Sequence, residues 1–140
     1  MSKYFEDIHL GEQADLGSYQ FTAEEIIRFA AAYDPQPFHV DEARAAGSHF
    51  GGIIASGWHT AAIWMKLMVA YQTRLARTRG LPEHGERPKM GPSPGFREMK
   101  WMAPVRAGDT IRYTSRVTEK IDLSSKPKWG LLVSRNEGYN

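Results

Sequence analysis

The fold is decided by residues 49–75, which read HFGGIIASGWHTAAIWMKLMVAYQTRL. A glycine-rich, apolar approach ends at Ser56, whose side chain can cap a helix that runs from about residue 58 to 76. Apolar residues go most of the way round the first half of this helix, which is typical of a helix buried in the middle of a fold. His59 and Lys66 interrupt it, so we predict a core helix and not a membrane span.

Two shorter helices are predicted before this segment. Residues 22–25, Thr-Ala-Glu-Glu, form a capping box, in which the threonine and the second glutamate cap each other's amides at a helix start. That helix should end near Asp34, because Pro35 disfavours a helical conformation at the residue before it. Asp41 is placed to cap a second, short helix over residues 42–46.

The second half of the chain alternates between apolar and polar residues. This alternation predicts β-strands at residues 96–102, 111–118 and 129–134, with a shorter strand at 18–21 after an N-terminal arm. Residues 78–95 hold several glycines, prolines and charges and predict a long loop. Helices first and antiparallel strands second predict an α+β fold, in which the sheet wraps around the long hydrophobic helix.

Composition narrows the classes of function. The 140 residues suffice for one domain, and the absence of cysteine excludes disulfides and thiolate chemistry and fits a cytoplasmic protein. The N-terminus lacks the apolar stretch of a signal peptide, and no run of about 18 apolar residues predicts a membrane helix. A net charge of +2 is too small to indicate nucleic-acid binding. Basic residues crowd the second half, either as a solvated surface or as an attraction for an anionic ligand such as a nucleotide phosphate.

A candidate acid/base pair follows the first predicted helix, in Tyr33-Asp-Pro-Gln-Pro-Phe-His-Val-Asp41. Two prolines make the loop between Asp34 and His39 stiff, as a positioned site requires. A neutral histidine beside a carboxylate is a workable base near neutral pH. Asp34 also lies at the negative end of the predicted helix, an unfavourable place for an anion that a functional role would explain. Asp-Pro is equally a common helix stop, so both interpretations stay open at this point.

The backbone amide of Gly57 is a third candidate. It falls at the N-terminus of the long helix, where amides lack intrahelical partners and the helix dipole is positive. An amide so placed can stabilise the enolate oxygen of a thioester. Together with Asp34 and His39, it makes a site for proton chemistry next to a carbonyl.

The stretch from Tyr33 to Asp41 resembles the hydratase signature of the MaoC-like dehydratases and (R)-specific enoyl-CoA hydratases, a branch of the hotdog fold. That signature reads roughly Gly-Asp-x-Asn-Pro-aliphatic-His-x-Asp. Three further segments resemble the family in the same order along the chain: FEDIHLG at 5–11, FGGIIASGW at 50–58 and PVRAGD at 104–109. The resemblance runs from about residue 5 to 138 and implies a single hotdog domain.

The resemblance implies that Asp34 and His39 activate the water added to, or lost from, a 2-enoyl-CoA thioester. The Gly57 amide is then the oxyanion donor to the thioester carbonyl. We expect substrate contacts from four further residues: Gln36, Phe38, Ser56 and Trp58. CoA is part of the substrate, so no separate cofactor is implied, and no metal is expected.

The family also implies a homodimer with the acyl-CoA site at the interface. Its members usually continue into one more strand where this sequence reads Glu137-Gly-Tyr-Asn140, so that strand is expected to be missing or different here. Within the signature, Tyr33 replaces a glycine, Gln36 replaces an asparagine, and Phe38 is bulkier than the usual aliphatic residue. Ser56 stands where a histidine is frequent. The acid/base pair itself is intact, so these departures bear on the substrate more than on the chemistry.

Zinc sites and hydrolases have weaker support. His39, His49 and His59 recur every ten residues, but no carboxylate cluster accompanies the last two, so zinc is not expected. His59 is interpreted as a packed or interfacial histidine. No Gly-x-Ser-x-Gly elbow is present for a serine hydrolase. Residues 58–75 also lack the acidic residue that hotdog thioesterases place on or beside the central helix.

The alternative from a different class is a non-catalytic hotdog protein that binds acyl-CoA or a lipid. The altered Tyr33 and Gln36 favour it, and the intact Asp34 and His39 disfavour it.

Overall fold

The computed structural model of the protein describes residues 3–80 and 85–140. Its elements in chain order are a 3₁₀-helix at Phe5–Asp7, β1 Gln13–Gln20, α1 Ala23–Tyr33, α2 Pro37–Val40, α3 Glu42–Ala46, α4 Gly57–Arg79, β2 Thr110–Asp122 and β3 Gly130–Tyr139. The strands form an antiparallel sheet in the order β1-β2-β3. Together with the 23-residue helix α4, this sheet confirms the predicted α+β class.

The chain divides into two compact units. The first comprises the described parts of Met1–Gly17, Leu67–Gly95 and Tyr113–Gly138. In this unit, Leu16 and Tyr113 are buried. The amide of Gly11 donates to the carbonyl of Val117 at 2.8 Å, which ties the N-terminal residues to β2.

The second unit holds the candidate site residues. It comprises Ser18–Lys66, Phe96–Arg112 and Tyr139–Asn140. Its core is apolar and is made of Phe21, Ile26, Ala30, Ala45, Ile53, Ile54, Ala55, Ile63 and Ile111.

Helix α1 begins and ends where its sequence signals predict. Thr22 accepts a hydrogen bond from the amide of Glu25 at 3.3 Å, so one half of the capping box is confirmed. The Glu25 carboxylate is used instead by the hydroxyl of Tyr19, which donates to it at 2.7 Å. Ile26 and Ala30, one turn apart, are both buried and fix the inward face of the helix. Asp34 is the residue that ends it.

Helix α3 also begins as predicted, because the side chain of Asp41 accepts a hydrogen bond from the amide of Arg44. The stiff loop predicted before it is in part helical: Pro37–Val40 forms the short helix α2. Proline is well suited to the first position of a helix. Its fixed φ is helical, and the N–H that it lacks would have no intrahelical acceptor at that position. Pro37 thus begins the helical turn on which His39 lies, in place of an extended loop.

The approach to α4 is held by backbone pairing. Ile54 forms an antiparallel bridge with Arg106. On either side of it, the Ala55 amide donates to the Val105 carbonyl at 2.8 Å and the Ala107 amide donates to the Ile53 carbonyl at 3.3 Å. This pairing fixes the backbone immediately before Ser56 and so fixes where α4 begins.

Helix α4 is longer and more exposed than the sequence predicts. It runs to Arg79, three residues beyond the predicted end. Only His59 and Ile63 are buried on it, whereas Trp58 and Met65 are each about half exposed. The prediction of a helix enclosed on most sides is therefore wrong for the single chain, because several apolar residues of the helix, among them Trp58, Met65 and Val69, are exposed.

The strand predicted at residues 96–102 is also wrong. These residues form no regular element, and Glu98 adopts a positive φ of 56°, which an extended strand does not tolerate. The predicted strand at 111–118 is confirmed within β2, with Ile111, Tyr113 and Ser115 buried as the alternation indicates. The other two strands are longer than predicted: β1 begins at Gln13 inside the expected N-terminal arm, and β3 continues to Tyr139.

Within the described residues, no helix combines the length and the apolar character needed to cross a membrane.

Candidate active site

Asp34 and His39 are brought together by the turn between α1 and α2. Asp34 Oδ2 lies 3.3 Å from His39 Nε2. The histidine is almost fully buried, and the carboxylate keeps a small opening to solvent. Two residues five apart in the sequence are therefore in contact, and the carboxylate is the more accessible of the two.

The histidine ring is oriented by the main chain. His39 Nδ1 lies 2.6 Å from the carbonyl oxygen of Ile54. A carbonyl oxygen only accepts hydrogen bonds, so Nδ1 carries a proton and donates it. In the neutral ring, Nε2 is then the unprotonated nitrogen, and it is the one that faces Asp34.

Both oxygens of the Asp34 carboxylate accept hydrogen bonds. Gln36 Nε2 donates to Oδ1 at 2.8 Å, and the hydroxyl of Ser56 donates to Oδ2 at 2.7 Å. Burial by itself would raise the pKa of Asp34, but these two hydrogen bonds and the neighbouring His39 outweigh it and lower the pKa below its ordinary value. Asp34 is therefore an oriented carboxylate at neutral pH.

Gly57 is the first residue of α4, as required of a helix-terminal donor. Among the described residues, no acceptor pairs with its amide. A Cβ atom built at Gly57 would lie 2.2 Å from Cε2 of Trp101, so only glycine allows this ring to lie where it does. Trp101 thus covers the start of α4, a role that its place in a predicted strand did not indicate.

The four expected substrate contacts fall into two groups. The polar side chains of Gln36 and Ser56 are engaged with Asp34, as described above. Phe38 and Trp58 instead offer aromatic surface: the Phe38 ring lies edge-on to His39 at 4.6 Å, and Trp58 lies edge-on to Trp101 at 5.4 Å. One group therefore contacts the carboxylate, and the other provides apolar walls beside the pair and the helix start.

His59 lies on α4 and packs against aromatic rings. Its ring stacks on Phe29 at 4.6 Å and meets Phe21 edge-on at 4.9 Å, which makes it a packed histidine as interpreted from the sequence. Burial lowers its pKa below the ordinary value, against a smaller opposite effect of Glu25. It borders a cavity of about 310 Å³ whose other lining residues are Tyr19, Glu25, Arg28, Phe29, Ala32 and Tyr33. Neither Asp34 nor His39 lines this cavity.

Comparison with known proteins identifies the family to which the chain belongs. The MaoC like domain family matches residues 8–132. The chain belongs to the MaoC-like dehydratase family. The resemblance to this family that the sequence indicates is thereby confirmed.

Individual relatives show how far the similarity extends. The chain is 41% identical over 64 residues to the uncharacterized protein YdeM of Bacillus subtilis, covering 46% of this chain and 45% of that protein. It is 33% identical over 105 residues to 3-hydroxyacyl-thioester dehydratase Z of Mycobacterium tuberculosis, covering 74% of this chain and 62% of that protein. The chain thus spans less than two thirds of the length of either curated relative.

A solved MaoC-like structure resembles nearly the whole chain. The MaoC-like dehydratase from Rhodospirillum rubrum superposes with a TM-score of 0.74 at 31% identity, covering 99% of this chain and 86% of that one. This likeness, with the antiparallel sheet and the long helix α4, confirms the predicted hotdog fold.

Proposed function

We propose that the protein is an acyl-thioester dehydratase/hydratase that adds water reversibly to a 2-enoyl-CoA, giving a 3-hydroxyacyl-CoA. The observation that carries the proposal is the 3.3 Å approach of Asp34 Oδ2 to the buried His39 Nε2. Membership in the MaoC-like family supports the class of reaction, as does the M. tuberculosis relative described as a 3-hydroxyacyl-thioester dehydratase.

In the hydration direction, one water molecule beside the pair donates a hydrogen bond to Asp34 Oδ2 and another to His39 Nε2. His39 Nε2 takes a proton from this water as the oxygen bonds to C3 of the enoyl group. The C2=C3 electron pair moves toward the thioester carbonyl, which gives an enolate. The enolate then collapses as C2 receives the proton from His39, so one water has been added and the pair returns to its starting state.

Asp34 and Gly57 stabilise the charges that develop during the proposed reaction. The Asp34 carboxylate stabilises the imidazolium that forms when His39 takes the proton. The amide of Gly57, at the positive end of α4, donates to the enolate oxygen. Gly57–Arg79 contains neither Asp nor Glu, so α4 lacks the acidic residue that a hotdog thioesterase places on or beside its central helix.

We also propose that the active form is a homodimer. Trp58, Ala62 and Met65 share one face of α4 and are all exposed in the single chain. A second copy is the simplest cover for such a face, and cyclic dimers are the commonest symmetric assemblies. Phe38 and Trp58 would then wall the acyl-CoA site near the interface.

The experiment that tests the activity follows the loss of enoyl-thioester absorbance with short- and medium-chain 2-enoyl-CoAs. Wild-type protein should hydrate at least one of them. Asp34→Asn and His39→Ala should each lower kcat/KM by about 10²–10⁴-fold, the usual contribution of a general acid or base.

Two matched controls accompany these variants. Asp41→Asn makes the same chemical change at a helix cap, where asparagine caps equally well, and His49→Ala removes an exposed histidine. Both should retain wild-type activity. If Asp34→Asn and His39→Ala match a measurable wild-type rate, the assignment of the pair is wrong.

The same set of enoyl-CoAs distinguishes the enzyme from the alternative of a non-catalytic binding protein. Gln36, which departs from the family signature, donates to Asp34 rather than displacing it, and this contact favours the enzyme. Calorimetric binding of an acyl-CoA without turnover of any enoyl-CoA by the wild-type protein would instead establish a binding module.

A further inference from the structure

Ser56 connects the start of α4 to the carboxylate of Asp34. Its side chain is fully buried. The hydroxyl accepts a hydrogen bond from the Trp58 amide at 3.2 Å and donates its single proton to Asp34 Oδ2 at 2.7 Å. Since a hydroxyl has only one proton to donate, the direction of this chain of hydrogen bonds is fixed, from the helix amide through Ser56 to the carboxylate.

We propose that Ser56 is a positioning residue that holds the Asp34 carboxylate against His39 by anchoring it to the first turn of α4. The proposal rests on the proposed function insofar as it concerns turnover. Its geometric part concerns Asp34 alone and is testable without substrate.

Asp34 needs such an anchor because of where it lies. It ends α1 at the negative pole of the helix dipole, which disfavours an anion there. It is also flanked by Tyr33, which is 74% exposed, and by the exposed Pro35. Neither neighbour holds the carboxylate in place.

Gln36 and Ser56 restrain the carboxylate in different ways. Gln36 donates to Oδ1, but it is exposed and only two residues away, so it moves with the same turn. Ser56 is 22 residues away, buried, and placed by the paired backbone before α4. Ser56 is therefore the contact that joins Asp34 to a separate and firmly held part of this unit.

The same contact explains how Ser56 differs from a substrate-binding serine. Its donor is committed to Asp34 and its oxygen to Trp58, so the hydroxyl has no proton left to offer a ligand. It also acts on the same oxygen that faces His39. Loss of the hydroxyl should leave Oδ2 free to rotate away from Nε2.

The protonation of Asp34 reports directly on whether Ser56 donates a hydrogen bond to its carboxylate. Among the described residues, His39 is the titratable group that acts on this carboxylate, while Gln36 and Ser56 contribute neutral donors. Removing a donor to the ionised form makes ionisation less favourable. The titration of Asp34 can be followed by the carboxyl ¹³C resonance in the free protein.

In that titration, Ser56→Ala and the nearly isosteric Ser56→Cys should both move the Asp34 midpoint to higher pH, whereas Ser56→Thr, which keeps the hydroxyl, should restore it. Ser48→Ala is the matched control, because Ser48 caps a turn through the Ala45 carbonyl and does not contact Asp34. An unchanged midpoint in both Ser56→Ala and Ser56→Cys overturns the proposal. If Ser56→Ala does not fold, Ser56→Cys decides alone.

Kinetics supply the second readout. Ser56→Ala should lower kcat about tenfold, the effect of one hydrogen bond to a charged group, with little change in KM. A raised KM with kcat retained would instead make Ser56 a substrate contact and overturn the positioning role. If the wild-type protein shows no hydratase turnover, the proposed function fails, and the titration still decides whether Ser56 anchors Asp34.

Discussion

At the scale of single residues, Gly57 carries two separate constraints. The space where a side chain would lie is filled by the Trp101 ring, and the amide is the proposed donor to the enolate. Alanine keeps the amide and adds the clashing atom, whereas proline adds that atom and removes the amide. Proline is otherwise acceptable at this first helical position. The pair of substitutions therefore separates packing from hydrogen bonding.

We expect the effects of packing and of the amide hydrogen bond to be easiest to distinguish in a Trp101→Ala background, where the clash at position 57 is absent. In that background, Gly57→Ala should keep most of the hydratase activity, and Gly57→Pro should lower kcat by about 10²–10³-fold, as for loss of one oxyanion donor. The measurement is the same enoyl-CoA assay, with circular dichroism to show that α4 is intact. Equal activities of the two double variants would remove the amide from the mechanism.

His59 makes a prediction about stability rather than activity. Burial holds its pKa below the ordinary value, so the unfolded chain binds a proton before the folded one does as pH falls. Its contribution to stability is therefore complete above the unfolded pKa of about 6.5 and declines as pH drops from there toward the folded pKa. His59→Phe should keep the aromatic packing on Phe29 and remove the loss of stability that occurs as pH falls.

The check is the midpoint of urea unfolding measured from about pH 8 to pH 5. Between these values the wild-type midpoint should fall more than that of His59→Phe. His49→Phe, at an exposed histidine, should behave as the wild type does. A His59→Phe curve parallel to that of the wild type would show that this histidine titrates alike in the folded and unfolded states.

The contacts of single residues show how much of the candidate site the sequence could predict. Asp34 and His39 stand five residues apart next to strong local signals, a helix end and two prolines, so their proximity was predictable. The contact of Ser56 with Asp34 spans 22 residues and depends on where the backbone of residues 53–55 is paired. No local sequence pattern predicts a contact between residues so far apart in the chain. Trp101 was missed for the same reason.

At the scale of elements, α1 positions the pair because its end is Asp34, and its beginning depends on Thr22. Thr22→Ala removes the acceptor for the Glu25 amide and should lower the free energy of unfolding by about 1 kcal/mol. Thr22→Ser keeps the oxygen and should stay close to the wild type. Chemical denaturation of the three proteins makes the comparison, and equal stabilities would show that the cap contributes nothing.

Elements were predicted best where the signal was complete within a few residues. The cap at Asp41 and the alternation in β2 are such cases, and both are confirmed. The alternation at 96–102 failed because it specifies two faces but not a neighbouring strand to accept the backbone hydrogen bonds. Strand β1 was placed too late because Gly11 and Gly17 suggested turns, although Leu16 between them is 1% exposed.

At the scale of the whole molecule, the apolar but exposed face of α4 makes a prediction about assembly. If Met65 lies in the proposed dimer interface, Met65→Lys places a charge there and should shift the protein from dimer to monomer in sedimentation velocity. Met90→Lys makes the same change at a methionine that is 75% exposed outside the helices and should leave the assembly unchanged. A wild-type monomer at high concentration would contradict the proposed homodimer.

The carbonyl of Ile54 that accepts from His39 belongs to the main chain, so every side chain at position 54 preserves it. Substituting side chains one at a time will therefore not remove this restraint on the imidazole. The restraint also gives the ring a fixed reactivity toward alkylating reagents. With Nδ1 occupied, a methyl donor can reach only Nε2, so the position of the methyl group on the modified histidine reports the orientation of the ring without any substitution in the protein.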